Sequence, residues 1–289
     1  VADFSGPVHV IGASGRSGRA LCAALAAAGI GFVPVVRNPS RWPGGRVADL
    51  ADPVALRAAL QGAARVVCCA HARHAAAVIA AAPAQAGFVF LGSTRKFTRW
   101  PDAHGTGVLA GERAFQNSGR DGVMLHPTMI YGAEGEDNVQ RLARLLARLP
   151  VAPLPGGGRA LVQPIHQADV TAAILAALRR DWHGPHALVI AGPAPLRYAD
   201  FLAAAARAAG LPPPRIVAVP AWPLMAAAAL TRVLPGLPTI RAAEIRRLLE
   251  DKAFDIAPMR AELGIQPRPL ETGLDATFHR VGRARAVAQ

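Results

Sequence analysis

The sequence predicts a doubly wound parallel α/β sheet with a small, mostly helical C-terminal lobe. Three observations carry that expectation. Short apolar runs alternate with alanine-rich segments through about residue 130. A glycine-rich turn joins the first run directly to the first helical segment. With 289 residues, 52% of them hydrophobic and 18% charged, the chain can bury a large core. That composition excludes disorder, a collagen-like repeat and a small disulfide-stapled scaffold.

Taken in order, Val8 to Ile11, Gly31 to Val36, Ala64 to Cys69, Gly87 to Leu91 and Gly122 to Leu125 read as strands. Their near-continuous apolar character fits a parallel sheet covered on both faces. Ser17 to Ala28, Pro53 to Leu60, Arg73 to Ala82 and Val108 to Ser118 read as the intervening helices, with Gly29 and Gly119 as terminal caps. Strand–helix alternation of this kind implies helices on both sides of one sheet. After Tyr131 the pattern changes. Asn138 to Arg148 reads as an amphipathic helix and Pro153 to Arg159 as a turn. A helix at 168–180 precedes a strand at Ala187 to Ile190, and helices are expected near 198–209, 222–233 and 239–252. The expected division is a domain over 1–150 and a smaller lobe over 151–289 whose late segments return to the sheet edge.

The net charge is +13, from 32 Lys plus Arg against 19 Asp plus Glu. Only Lys96 and Lys252 are lysines; the other cations are arginines. A basic balance speaks to polyanionic partners and not to fold. No nucleic-acid partner is expected, because no binding motif or aromatic stacking surface accompanies the charge. Cys22, Cys68 and Cys69 are odd in number and lack Cys-x-x-Cys spacing, which fits a reduced, cytoplasmic compartment. The two adjacent cysteines read as buried strand residues. No signal-peptide pattern or membrane-spanning run is visible. The segment from Val219 to Leu230 reads as a core helix in preference to a peripheral membrane contact, since only Arg232 lies close to its apolar stretch. His71 and His74 share a helical spacing without an acidic or Cys partner nearby, so no metal is expected.

The sharpest local signal runs from Val8 to Leu21, where Gly12, Gly15 and Gly18 separate a strand from a helix. Gly12 allows the tight turn, Gly15 lets backbone approach a diphosphate, and Gly18 lets the helix pack against the strand. The helix N-terminus offers free N–H groups to the anion. Ser14, Arg16 and Ser17 complete the candidate phosphate-binding turn. The Gly-x-x-Gly-x-x-Gly spacing resembles the extended and atypical short-chain dehydrogenase/reductase superfamily, with its Rossmann-type NAD(P)-binding domain, here 1–150, and a substrate lobe, here 151–289. At the end of the second strand, Arg37 and Arg41 stand where an acid would select NAD. Their presence favours NADP(H) over NAD(H).

Later segments resemble the NAD-dependent epimerase/dehydratase type of that superfamily. Val47-Ala48-Asp49-Leu50 resembles the third-strand segment, whose Asp lies against adenine. Val66 to Ala70 resembles the fourth strand passing under the cofactor ribose, which implicates Cys69 and Ala70. Phe88 to Thr94 resembles the strand that ends at the catalytic-position Ser, here Ser93. His126-Pro127-Thr128-Met129-Ile130-Tyr131-Gly132 is similar to the segment after the sixth strand, and the resemblance places Pro127 and Thr128 beside the nicotinamide. Gln163 to Val170, Glu262 to Pro267 and Leu270 to Leu274 resemble the late segments.

The family's Tyr-x-x-x-Lys dyad is absent. Counting from Glu112, matched to the family's Glu, the Tyr position falls on His104 and the Lys position on Val108. Three readings stand: His104 replaces the Tyr as proton donor, Lys96 reaches the same cavity from the loop after Ser93, or the nucleotide is bound without being used. The resemblance implies an NADP(H)-dependent oxidoreductase or epimerase-like enzyme acting on a carbonyl or hydroxyl carbon of a small molecule. The alternative is a non-catalytic NADPH-binding regulatory or assembly protein.

Overall fold

The computed structural model describes residues 6–133, 138–148, 151–230 and 242–287. Among these, the central sheet has seven strands: β1 (Val8–Ile11), β2 (Phe32–Val36), β3 (Arg46–Val47), β4 (Arg65–Cys68), β5 (Gly87–Leu91), β6 (Gly122–Pro127) and an edge strand, Pro185–Ile190. Every pairing is parallel, and the order runs edge strand, β6, β5, β4, β1, β2, β3. The chain therefore winds outward in both directions from β1.

Helices α1 (Arg16–Ala27), α2 (Pro53–Ala59), α3 (Ala75–Ala81), α4 (Ala103–Ser118), α5 (Asn138–Arg148) and α6 (Gln167–Leu178) follow in sequence. Alternate strand residues divide the core. Val10, Val67 and Val89 pack with Leu21, Leu25 and Ile174 of α1 and α6 on one face. Ile11, Val66, Phe88 and Phe90 pack with Leu56, Val78 and Phe115 of α2, α3 and α4 on the other. Each such side chain contributes roughly 1.5–3 kcal/mol on burial, which is why the period-2 pattern sets both layers.

Three expectations are corrected. Helix α4 starts at Ala103, well before Val108. Gly105 and Gly107 weaken the local helical signal, but the Asp102 carboxylate caps the first turn by accepting from the Gly105 N–H at 2.8 Å. The segment beginning at Pro153 is not only a turn: Val151–Pro155 is a strand paired in parallel with Arg215–Val219. Among the described residues each strand of that pair has one partner, and edge strands of this kind admit proline. The strand expected at Ala187 to Ile190 starts at Pro185 and lies at the edge of the central sheet, beside β6. The helix expected over 239–252 is Ala242–Arg247, followed by a turn to Glu250; residues 231–241, including the end of the helix expected at 222–233, lie outside the described residues.

The C-terminal region contributes the helices Tyr198–Ala208, Ala221–Leu230, Ala257–Leu263 and Leu270–Val287. Three contacts pin it to the sheet. The Gln163 amide donates to Gly192 O at 2.8 Å and accepts from the Phe254 N–H at 2.8 Å. Asp169 accepts from Arg268 Nε at 3.0 Å. Buried Tyr131 lies so close to Gly273 that a Cβ there would sit 2.1 Å from its hydroxyl. No helix among the described residues is long and apolar enough to cross a membrane.

Candidate functional site

Because the sheet is wholly parallel, all the strand C-termini meet at one edge. That edge gathers the glycine turn after β1, Arg37 after β2, Asp49 and Leu50 after β3, Cys69 and Ala70 after β4, Ser93 after β5, and Pro127 and Thr128 at the end of β6. The strand order reverses between β4 and β1, the position where α/β sheets open a crevice. The crevice walls are close. Gly12 has φ +75°, and a Cβ on it would lie 3.2 Å from Ala70 N; one on Gly15 would lie 3.1 Å from Gly12 O. On Gly18 a Cβ would fall 2.1 Å from Gly12 O, so only glycine lets α1 start this close to β1. The first turn of α1 has no side-chain cap and no acid, which leaves its N–H groups and dipole open to an anion. A glycine-walled crevice ending on an uncapped helix fits a dinucleotide diphosphate.

The polar members of the turn divide. The Ser17 hydroxyl donates to Gln167 Oε1 at 2.9 Å and so braces α1 against α6. Ser14 is half-buried, while Arg16, Arg37 and Arg41 are exposed at the rim. Asn38 caps the short turn Pro39–Arg41 by accepting from Ser40 N at 3.0 Å, which holds Arg41 beyond β2. Asp49 is exposed and accepts from Ala51 N at 2.9 Å. Burial pushes the Cys22 and Cys68 thiols up to about 12 and the Cys69 thiol well above its ordinary value. All three stay protonated near neutrality and are poor nucleophiles.

Ser93 caps the short helical turn Thr94–Phe97, its hydroxyl accepting from Arg95 N at 3.2 Å. Its own N–H donates to His126 Nδ1 at 3.2 Å. The His126 ring is buried against Gly92, where a Cβ would come within 2.3 Å of Nδ1. Nδ1 is thus the bare nitrogen, and Nε2 faces Glu112 Oε2 at 3.5 Å. Lys96 Nζ completes the group at 2.6 Å from both Glu112 oxygens and 3.2 Å from His126 Nε2. Burial alone would raise the Glu112 carboxyl, but hydrogen bonds from His126 and Lys96 hold it at about 2. Lys96, one of the three alternatives for the proton donor, thus places its ammonium against Glu112 and His126. Its ammonium is turned inward because a buried carboxylate needs a cation.

His104 lies in the first turn of α4, with its ring 4.4 Å from that of His71 in an edge-to-face contact at 80°. Burial, Arg95 and other nearby cations hold the His104 imidazole below its ordinary value. Burial, His104 and Arg73 lower His71 to about 4. Both rings are therefore neutral near pH 7. Asp102 pairs with Arg95 and, at 3.5 Å, with Arg247 Nη1. Neither tyrosine joins this group: Tyr131 bonds Leu270 O at 3.4 Å, and Tyr198 packs on Phe201.

A cavity of about 340 Å³ opens beside Ser93 and Thr128 and is closed on its far side by Arg247, Glu250, Asp251, Lys252 and Phe254. Thr128 directs its hydroxyl to Gln163 O, and the Pro127 carbonyl accepts from the Thr94 hydroxyl at 3.2 Å. The sequence reading missed Arg95, Asp102, Arg247 and Glu250. Lys252 carried a signal, as one of two lysines in an arginine-rich chain.

No family profile matches this sequence, and no curated protein matches it. Solved structures do. An NADPH-dependent quinone oxidoreductase of Escherichia coli, complexed with NADPH, aligns at TM-score 0.73 and 20% identity over 94% of this chain and 99% of its own. A short-chain dehydrogenase/reductase superfamily protein of Agrobacterium tumefaciens with bound NAD aligns at TM-score 0.70 and 18% identity over 98% and 100%. The UDP-glucose 4-epimerase of Thermotoga maritima, with UDP-glucose, aligns at TM-score 0.71 and 14% identity over 97% and 100%. This chain shares its fold, a parallel α/β sheet wound outward from β1, with these solved structures, among them a short-chain dehydrogenase/reductase superfamily protein and a UDP-glucose 4-epimerase.

Proposed function

We propose that this protein is an NADP(H)-dependent oxidoreductase that reduces a small carbonyl-type acceptor. The observation that carries the reading is the glycine-walled crevice between β1 and β4, which shares a sheet edge with the cavity beside Ser93. The NADPH held by the Escherichia coli protein and the NAD held by the Agrobacterium protein support it.

A bound nicotinamide supplies the hydride; the protein's part is to place and polarise the acceptor. Gly12, Gly15 and the α1 N-terminus hold the diphosphate, with Cys69 and Ala70 under the ribose and Asp49 and Leu50 beside the adenine. Arg37, with Arg16 and Arg41, meets the 2′-phosphate. Pro127 and Thr128 flank the nicotinamide, and the Ser93 hydroxyl orients the acceptor oxygen. His104, neutral near pH 7, hydrogen-bonds that oxygen and passes it a proton drawn from solvent. Lys96 has no direct part, since its ammonium is committed to Glu112 and His126. The C-terminal region supplies the substrate side of the site. A reduced, cytoplasmic setting accords with three free cysteines.

Titration of the purified protein with NADPH and NADH, followed by nucleotide fluorescence, tests the reading. Tighter binding of NADPH is expected, with Arg37→Ala weakening it about tenfold, or about 1.4 kcal/mol, and leaving NADH unchanged. Failure to bind either nucleotide would overturn the reading. The buried tyrosines and the inward-turned Lys96 favour a second reading, a non-catalytic NADPH-binding regulatory or assembly protein. NADPH binding without oxidation by any of a panel of aldehydes, ketones and quinones would select it.

A further inference from the structure

We propose that the cavity beside Ser93 takes a compact substrate bearing a carboxylate, which Lys252 and Arg247 hold. This deepens the reductase reading and rests on it for the chemistry, though not for the binding.

The charge around the cavity is unbalanced. Arg95, Arg99, Arg247 and Lys252 line it against Glu250 and Asp251. Neither of those carboxylates forms an ion pair with a lining cation among the described residues, although the Glu250 charge is felt at both Arg247 and Lys252. Glu250 accepts from the Thr98 hydroxyl at 2.8 Å and from the Arg99 N–H at 2.7 Å. Asp251 accepts from the Leu161 N–H at 2.8 Å. Asp102 serves Arg95 and Arg247 together, so one carboxylate answers two guanidiniums.

Lys252 keeps donors to spare. Its one hydrogen bond goes to a neutral acceptor, Arg247 O at 2.8 Å, and it forms no ion pair among the described residues. Two of its three N–H donors remain for a ligand. Burial lowers both Lys252 and Arg247; the Glu250 carboxylate opposes this at both, while Arg247 and Arg95 lower Lys252 further and Arg95 lowers Arg247. An anion entering the cavity relieves that crowding. A single ammonium suits one negative group, and about 340 Å³ lies at the low end of small-molecule pockets. Both point to a one-ring or short-chain carboxylate rather than a nucleotide-linked substrate.

The test is isothermal titration of 4-carboxybenzaldehyde and its neutral counterpart, methyl 4-formylbenzoate, into the protein with and without saturating NADPH. The carboxylate is expected to bind at least tenfold more tightly than the ester. Lys252→Met should abolish that preference and Lys252→Arg should retain it, with thermal melting verifying the fold of each variant. Equal affinities, a preference that survives in Lys252→Met, or no binding of either probe at millimolar concentration would overturn the proposal. NADPH oxidation in the same samples is read separately. A carboxylate preference in protein that binds no NADPH would preserve the anion site and sink the reductase reading instead.

Discussion

Glu112 sits at 8% exposure between an ammonium and an imidazole, and that placement governs how the protein responds to acid. Its carboxyl titrates near 2 in the folded chain against an ordinary 4.5. A depressed carboxyl contributes stability that is complete above the unfolded value and disappears as pH falls through the folded one. Between about pH 4.5 and 2 the protein should therefore lose up to about 3 kcal/mol from this group. Denaturant midpoints measured from neutral pH downward should show Glu112→Gln with a flatter acid limb than wild type. Lys96→Met leaves the carboxylate buried and should cost about 3–5 kcal/mol. The double variant Lys96→Met, Glu112→Gln should recover part of that loss. If the losses are merely additive, the three side chains do not act as a unit.

At the level of elements, α4 carries the site's geometry. A Cβ on Gly111 would lie 1.9 Å from Ala72 O, and one on Gly107 would lie 3.0 Å from His71 Cε1. The helix is thus shaved along one face so that the turn after β4 can pass and bring His71 to His104. Gly111→Ala should lower stability by roughly 1–3 kcal/mol and separate the two rings, read by melting temperature and by histidine NMR shifts. Gly105 and Gly107 explain why the start of α4 was illegible in the sequence: they look like loop, and Asp102 restores the helix only through a bond to the Gly105 N–H. The five inner strands of the sheet were legible because both their faces are apolar; β3, with both residues exposed, had no such signal. The pair Val151–Pro155 and Arg215–Val219 was not legible, since two of its residues are prolines and Arg215–Val219 has no buried position.

For the whole molecule, the +13 charge meets a site whose proposed ligands are anions. Raising salt from about 0.05 M to about 0.5 M shortens the screening length several-fold and should weaken NADPH binding several-fold. Fluorescence titration across that range checks it, and salt-independent binding would mean that the charge lies remote from the crevice. The far wall of the cavity was beyond sequence reasoning for a related reason. Glu250 lies roughly half the chain away from Thr98, and the register of that meeting follows from pins such as Gln163 to Phe254 and Asp169 to Arg268. Glu250 has one more consequence. By clasping Thr98 and Arg99 it joins the loop after β5 to the segment bearing Lys252, so the two walls form one jaw. That jaw parts only when both donors release the same carboxylate together. A guest between those walls would therefore sit behind a pair that one carboxylate ties together.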